Sequence, residues 1–159
     1  IHKAIVDVWE NEPDIDRELL KRVTLGTPHI AGYSRDGKAN GTAHSVRTLS
    51  RFFGFGLDNW YPHNIETPKN QIVNLNNPNL SSREIIYRAI KGTYDVTEDD
   101  RRLREHPGKF EKQRGDYPVR REFNAYKLAL NDGFSAQTIR KLQALGFKLT
   151  KVYDDQVKS

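Results

Sequence analysis

Residues 1–8, "IHKAIVDV", form a mostly apolar run rich in β-branched side chains, a pattern that predicts a buried strand. The polar segment "WENEPD" then ends it as a loop. Asp14 or Asp16 is placed to cap a short helix through "RELLKRV", and "VTLGTPHI" reads as a second short strand running into a loop. A strand, helix, strand succession of this length is one unit of a parallel α/β sheet. From Arg35 to Phe53, Ala39, Ala43, Val46, Leu49, Phe52 and Phe53 recur at near-helical spacing, and Gly54 is placed to stop that helix.

Prolines and asparagines without a helical period mark residues 57–70 as a connection. Beyond it "QIVNL" predicts a strand, and Ser81 with Glu84 forms the spacing of a capping box ahead of a helix that buries Ile85, Ile86, Ala89 and Ile90. "AYKLALN" predicts another strand, "SAQTIRKLQALG" a helix capped by Ser135 and stopped by Gly146, and "FKLTKVY" a closing strand. This second half reads as a small α+β module, so the domain division expected is 1–56, a connection over 57–70, and 71–159.

At 159 residues the chain can bury one ordinary core or two small ones. No apolar run approaches the ~18 residues of a membrane span, and the N-terminus lacks a signal-peptide pattern. The absence of cysteine excludes disulfides and thiolate chemistry and fits a cytoplasmic, reducing compartment. Ile1 stands in what reads as mid-strand and there is no methionine, which predicts a piece of a longer protein. The net charge of +5 invites nucleic acid as a partner. Its distribution argues otherwise: acids and bases alternate over Thr97–Glu122 as on a solvated helical face, without interleaved aromatics, and the Arg-Gly-Asp at Arg114–Asp116 reads as chance.

Chemistry concentrates near the start of the chain. Glu12 follows the first predicted strand and His29 the second, and in a parallel sheet the loops at the carboxyl ends of neighbouring strands come together. A carboxylate bonded to one imidazole nitrogen fixes the tautomer and leaves the other nitrogen to exchange a proton, which makes a general acid–base pair. A satisfied structural pair is the plain alternative. Asp7 ends the first strand and reads either as a turn or capping acid or as part of the site. Gly32 either permits a tight turn or admits a cofactor close to the backbone; Tyr33 either packs or offers a phenol to a substrate. No G-x-G-x-x-G, P-loop or G-x-S-x-G elbow is complete, and His2, His44, His63 and His106 lack metal-ligand spacing, so no bound metal is expected.

"VDVWENEP" followed, after a short helix, by "TPHIAGYSRDGKANGT" resembles the end of the nucleotide-binding domain of D-2-hydroxyacid dehydrogenases. The short gap between Glu12 and His29, and "HPGKFEKQRGDYPVRREF" further on, resemble in particular the branch that oxidises 4-phosphoerythronate in pyridoxal 5′-phosphate biosynthesis. The resemblance implies a fold of α/β class, the C-terminal part of a Rossmann-type NAD-binding domain followed by a small dimerisation domain. It implies NAD as cofactor, His29 and Glu12 as the catalytic pair, Asp7 and Gly32 as cofactor contacts, Tyr33 as a substrate contact, and a homodimer formed through the second half. The family's glycine-rich phosphate turn, catalytic arginine and substrate domain precede the matched region, so the 159-residue chain by itself is expected to be inactive. Another hydroxy-acid substrate, such as 3-phosphoglycerate or glycerate, and a non-catalytic dimerising module remain open beside this reading.

Overall fold

The computed structural model describes residues 3–151. The outermost residues of the first and last predicted strands, Ile1, His2, Val152 and Tyr153, lie outside that range. The chain divides into two compact units.

The first unit comprises the residues up to His63 together with Asp95–Val119. β1 (Ile5–Val6) and β2 (Leu25–Gly26) pair in parallel, Ile5 with Leu25 and Val6 with Gly26, and α1 (Arg17–Arg22) connects them. Asp16 caps α1 by accepting from the amides of Glu18 and Leu19, as the sequence predicts for one of its two candidates. The first strand is shorter and less covered than expected: Ile5 is 74% and Val8 63% exposed, because β1 has no neighbour other than β2 among the described residues.

α2 (Arg35–Phe53) has the predicted bounds, with Ser34 accepting from the Gly37 amide and Gly54 ending the helix at φ 70°. Its buried face is narrower than its apolar stripe. Ala39 and Ala43 are buried, whereas Leu49, Phe52 and Phe53 are exposed, and in the last turns it is the polar Ser50 that is buried, bonded to Leu57 and Asp58 of the following segment.

The charged stretch after residue 95 is the main correction. It forms α4 (Thr97–Glu105) and α5 (Phe110–Gly115), and both belong to the first unit rather than to the 71–159 domain expected from the sequence. Leu103 and Phe110 join Trp9, Ile15, Leu20 and Val23 in one core, so α4 is only partly a solvated face. Its ion pairs act on the backbone. Asp100 accepts from the Gly26 amide at 2.6 Å and, through both carboxylate oxygens, from Arg104 Nε at 3.0 and 2.9 Å, while Arg104 donates to the carbonyls of Leu20 and Val23 at 2.7 and 3.0 Å. Those carbonyls belong to the end of α1, where the last turn has no intrahelical donor, so the guanidinium serves as its cap. At Gly26 a Cβ would lie 2.8 Å from Leu20 Cδ1 and 2.9 Å from Trp9 Cζ2, which only glycine avoids.

The second unit comprises Asn64–Tyr94 and the residues from Arg120 onward. β3 (Ile72–Leu75), β4 (Lys127–Leu130) and β5 (Lys148–Lys151) form a sheet in that order, with every pairing parallel. Parallel neighbours joined through helices make this an α/β arrangement, not the α+β module the sequence predicted. The register places Val73 beside Leu128 and Leu149, and Leu75 beside Leu130, on one face. α3 (Ser82–Thr93) and α6 (Ala136–Ala144) pack with that face through Ile85, Ala89 and Leu142. Ser81 and Ser135 cap them as predicted, accepting from Glu84 and Thr138 amides, and Gly146 takes the left-handed φ of 98° after α6. Of the predicted α3 stripe, Ile90 is 37% exposed.

Two substitutions probe these cores. Leu142 is fully buried, so Leu142→Ala should cost about 2–5 kcal/mol in urea denaturation. Arg104→Met should cost about 2–4 kcal/mol, because it strands the Asp100 carboxylate and two helix-end carbonyls; a loss under about 0.5 kcal/mol would reduce α4 to surface decoration.

Candidate active site

Because β1 and β2 run in parallel and in register, the loops that follow them leave the same edge. Trp9 ties the two loops together. Its indole Nε1 donates to the Thr27 carbonyl at 2.8 Å in a buried position, and its backbone amide donates to Glu12 Oε1 at 2.8 Å. The other oxygen of Glu12, Oε2, lies 2.8 Å from His29 Nδ1. One carboxylate is thereby oriented by a main-chain donor on one side and orients an imidazole on the other.

His29 sits in the left-handed region at φ 53°, between the fully buried Pro28 and buried Ile30. A β-carbon-bearing residue there costs about 1–3 kcal/mol, so the surrounding contacts must outweigh it. Asp7 provides them. Its Oδ1 accepts from the Thr27 hydroxyl at 2.6 Å and the Ile30 amide at 2.8 Å, and its Oδ2 from the Ala31 amide at 3.0 Å. Hydrogen bonds to a charged acceptor contribute about 1.5–3 kcal/mol each, enough in sum to hold the strained turn.

Burial acts first on Glu12 and by itself pushes its carboxyl up. The Trp9 amide, the bond and charge of His29, and the charge of Arg114 together outweigh it and hold the carboxyl below its ordinary value. Glu12 therefore stays an anion opposite the imidazole. His29 Nε2 has no hydrogen-bond partner among the described residues, and the side chain is 43% exposed.

The five residues singled out from the sequence all lie in these loops. Gly32 is exposed and its φ is not left-handed; an added Cβ would meet nothing within 4 Å, so the backbone turn does not require glycine there. The close approach belongs instead to Gly37, where a Cβ would fall 2.7 Å from the Gly32 carbonyl oxygen. Tyr33 is half-buried, edge-on to Tyr117 at 5.8 Å between centroids, with Lys38 Nζ 4.2 Å and the Arg114 guanidinium carbon 5.2 Å from its ring centre. Arg114 also donates to the His29 carbonyl at 3.4 Å. Sequence reasoning missed Arg114, whose only local signal was the Arg-Gly-Asp run.

The arrangement is a carboxylate hydrogen-bonded to an imidazole beyond the carboxyl ends of parallel strands, the chemistry an acid–base pair requires. Residues 65–146, slightly more than half of the chain, match the family described as "Domain of unknown function (DUF3410)", and the chain belongs to that family. It is 47% identical over 127 residues to an erythronate-4-phosphate dehydrogenase of Bacteroides fragilis, covering 80% of this chain and 34% of that protein. To the proteins of the same name from Bacteroides thetaiotaomicron and Marinobacter nauticus it is 45% and 37% identical over 128 and 154 residues, or 80% and 92% of this chain. These matches cover 34% and 40% of those two proteins, so the chain spans little more than a third of the relatives' length.

A carboxyl whose pKa is lowered by folding adds stability above its unfolded pKa and loses it as pH falls through the folded one. The stability difference between wild type and Glu12→Gln should therefore be largest above the usual carboxylate range of about pH 4–4.5 and shrink below it. Thermal melts across pH would read this, and a difference that did not change with pH would remove the charge from the account.

Proposed function

We propose that the chain is the acid–base portion of an NAD-dependent dehydrogenase that oxidises 4-phospho-D-erythronate at its C2 hydroxyl to the 2-oxo acid, a step of pyridoxal 5′-phosphate formation. The observation that carries this reading is the 2.8 Å contact between Glu12 and His29 with His29 Nε2 left open, joined to the likeness to proteins named erythronate-4-phosphate dehydrogenase.

When bound, the nicotinamide supplies the hydride acceptor. His29 Nε2 takes the hydroxyl proton as the C2–H bond gives up its hydride, and Glu12 supports the imidazolium through Nδ1. The residues present fit such a cofactor. The open space at Gly32 leaves room for a ligand against the backbone, and Asp7 Oδ2, with the Ala31 amide as its one donor among the described residues, keeps acceptor capacity for a carboxamide N–H. Tyr33 contacts the substrate in this reading. The second unit serves a homodimer, and the 159-residue chain alone is inactive for want of a phosphate-binding turn.

The test is NADH absorbance with the parent enzyme on 4-phosphoerythronate, with 3-phosphoglycerate as competitor. Selective turnover of the former is expected. His29→Gln should lower kcat by about 10²–10⁴-fold with little change in cofactor affinity. Near-normal turnover in that variant would remove His29 from the chemistry.

A further inference from the structure

Arg114, on α5, is only 21% exposed, and its guanidinium is fixed from several directions. Nε donates to the His29 carbonyl at 3.4 Å and Nη1 to Glu111 Oε1 at 3.0 Å, while the guanidinium carbon lies 6.0 Å from the centre of the fully buried Phe110 ring. The His29 amide in turn donates to the Thr27 carbonyl at 3.0 Å. Both main-chain groups of a residue in the left-handed region are thus committed, one of them to a side chain 85 positions further on.

Glu111 is 63% exposed, and a pair with so exposed a carboxylate contributes little, so it does not account for a largely buried guanidinium. Glu12 supplies a second reason. Burial pushes the Glu12 carboxyl up; the Trp9 amide, His29 and, through its charge alone, Arg114 bring it down. Other charged groups around the pair are engaged differently. Asp7, just after β1, accepts from the Thr27 hydroxyl and from the amides of Ile30 and Ala31. Lys38 of α2, with Nζ 4.2 Å from the Tyr33 ring centre, is exposed and therefore screened by water and salt. Tyr117, edge-on to Tyr33, donates to Asp99.

We propose that Arg114 is a positioning residue of the acid–base pair: its guanidinium fixes the His29 main chain and holds a positive charge near the Glu12 carboxylate, without touching substrate. For the identity of the reaction this rests on the dehydrogenase reading. Removing the charge favours the protonated forms of the pair, and removing the guanidinium fork loosens the turn on which the imidazole stands. The two effects are separable, because lysine keeps the charge and loses the fork.

In the parent enzyme, Arg114→Gln should lower kcat on 4-phosphoerythronate about tenfold or more with KM little changed. It should also move the acidic limb of the kcat/KM profile, which belongs to Glu12 and His29 as a unit, to higher pH. Arg114→Lys should return the limb toward wild type while kcat stays lowered. A loss of activity with the limb in place marks a structural role, and a change confined to KM marks a substrate contact; either overturns the proposal. The pair is also read without substrate, by carbon NMR titration of the Glu12 carboxyl in the 159-residue chain. Its midpoint should rise in Arg114→Gln, return in Arg114→Lys and fall in Glu111→Gln, where an opposing anion is removed. Glu111 is largely exposed, so that variant stays informative should Arg114→Gln misfold, and a midpoint indifferent to all three substitutions overturns the proposal. If the parent oxidises neither 4-phosphoerythronate nor 3-phosphoglycerate, the dehydrogenase reading fails and the titration alone decides the role of Arg114.

Discussion

Two residue pairs of parallel strand, Ile5 with Leu25 and Val6 with Gly26, set the geometry on which the candidate site depends. Parallel pairing sends both following loops off one edge, and a shift of register by a single residue would move Glu12 away from His29. So short a ladder has few hydrogen bonds of its own. Around it the chain places locks: the Thr27 amide on the Val6 carbonyl at 2.9 Å, the Trp9 indole on the Thr27 carbonyl, and Asp100 on the Gly26 amide. Loss of the Asp100 bond would leave the Gly26 amide unpaired, and loss of the Trp9 bond would strand the buried indole N–H, since the Thr27 carbonyl also accepts from the His29 amide; either costs more than the bond's net worth.

The same locks explain how a histidine can be kept in an unfavourable backbone conformation. His29 is left-handed because Asp7 gathers the donors on both sides of it, and the benefit of that turn is an imidazole aimed at Glu12. Such a conformation persists where the surrounding framework over-determines it. Asp7 thus has a visible structural duty that is compatible with the cofactor contact proposed for it, since its second oxygen is only partly used.

α4 and α5 show how charge can mislead. Alternating acids and bases are the ordinary signature of a solvated helix, and several pairs here are of that kind, such as Arg101 between Glu98 and Glu105. Asp100 and Arg104 have the same spacing yet reach across to Gly26, Leu20 and Val23. Nothing in the local pattern distinguishes the two sets, because the difference lies in which helix face meets the core through Leu103.

Sequence by itself determined what local chemistry controls: the bounds of α2 from Ser34 and Gly54, the caps at Ser81 and Ser135, the strand signals around residues 72 and 128, and the Glu12 and His29 candidates from their places after apolar runs. These follow from periodicity and capping, which act within a few residues. Tertiary structure alone decided the rest: which apolar positions of α2 are covered, that the second sheet is wholly parallel, and that Arg114 comes to lie against Tyr33 from 81 positions further along the chain. Such pairings are set by how distant segments exclude water together, and no short window of sequence contains both partners.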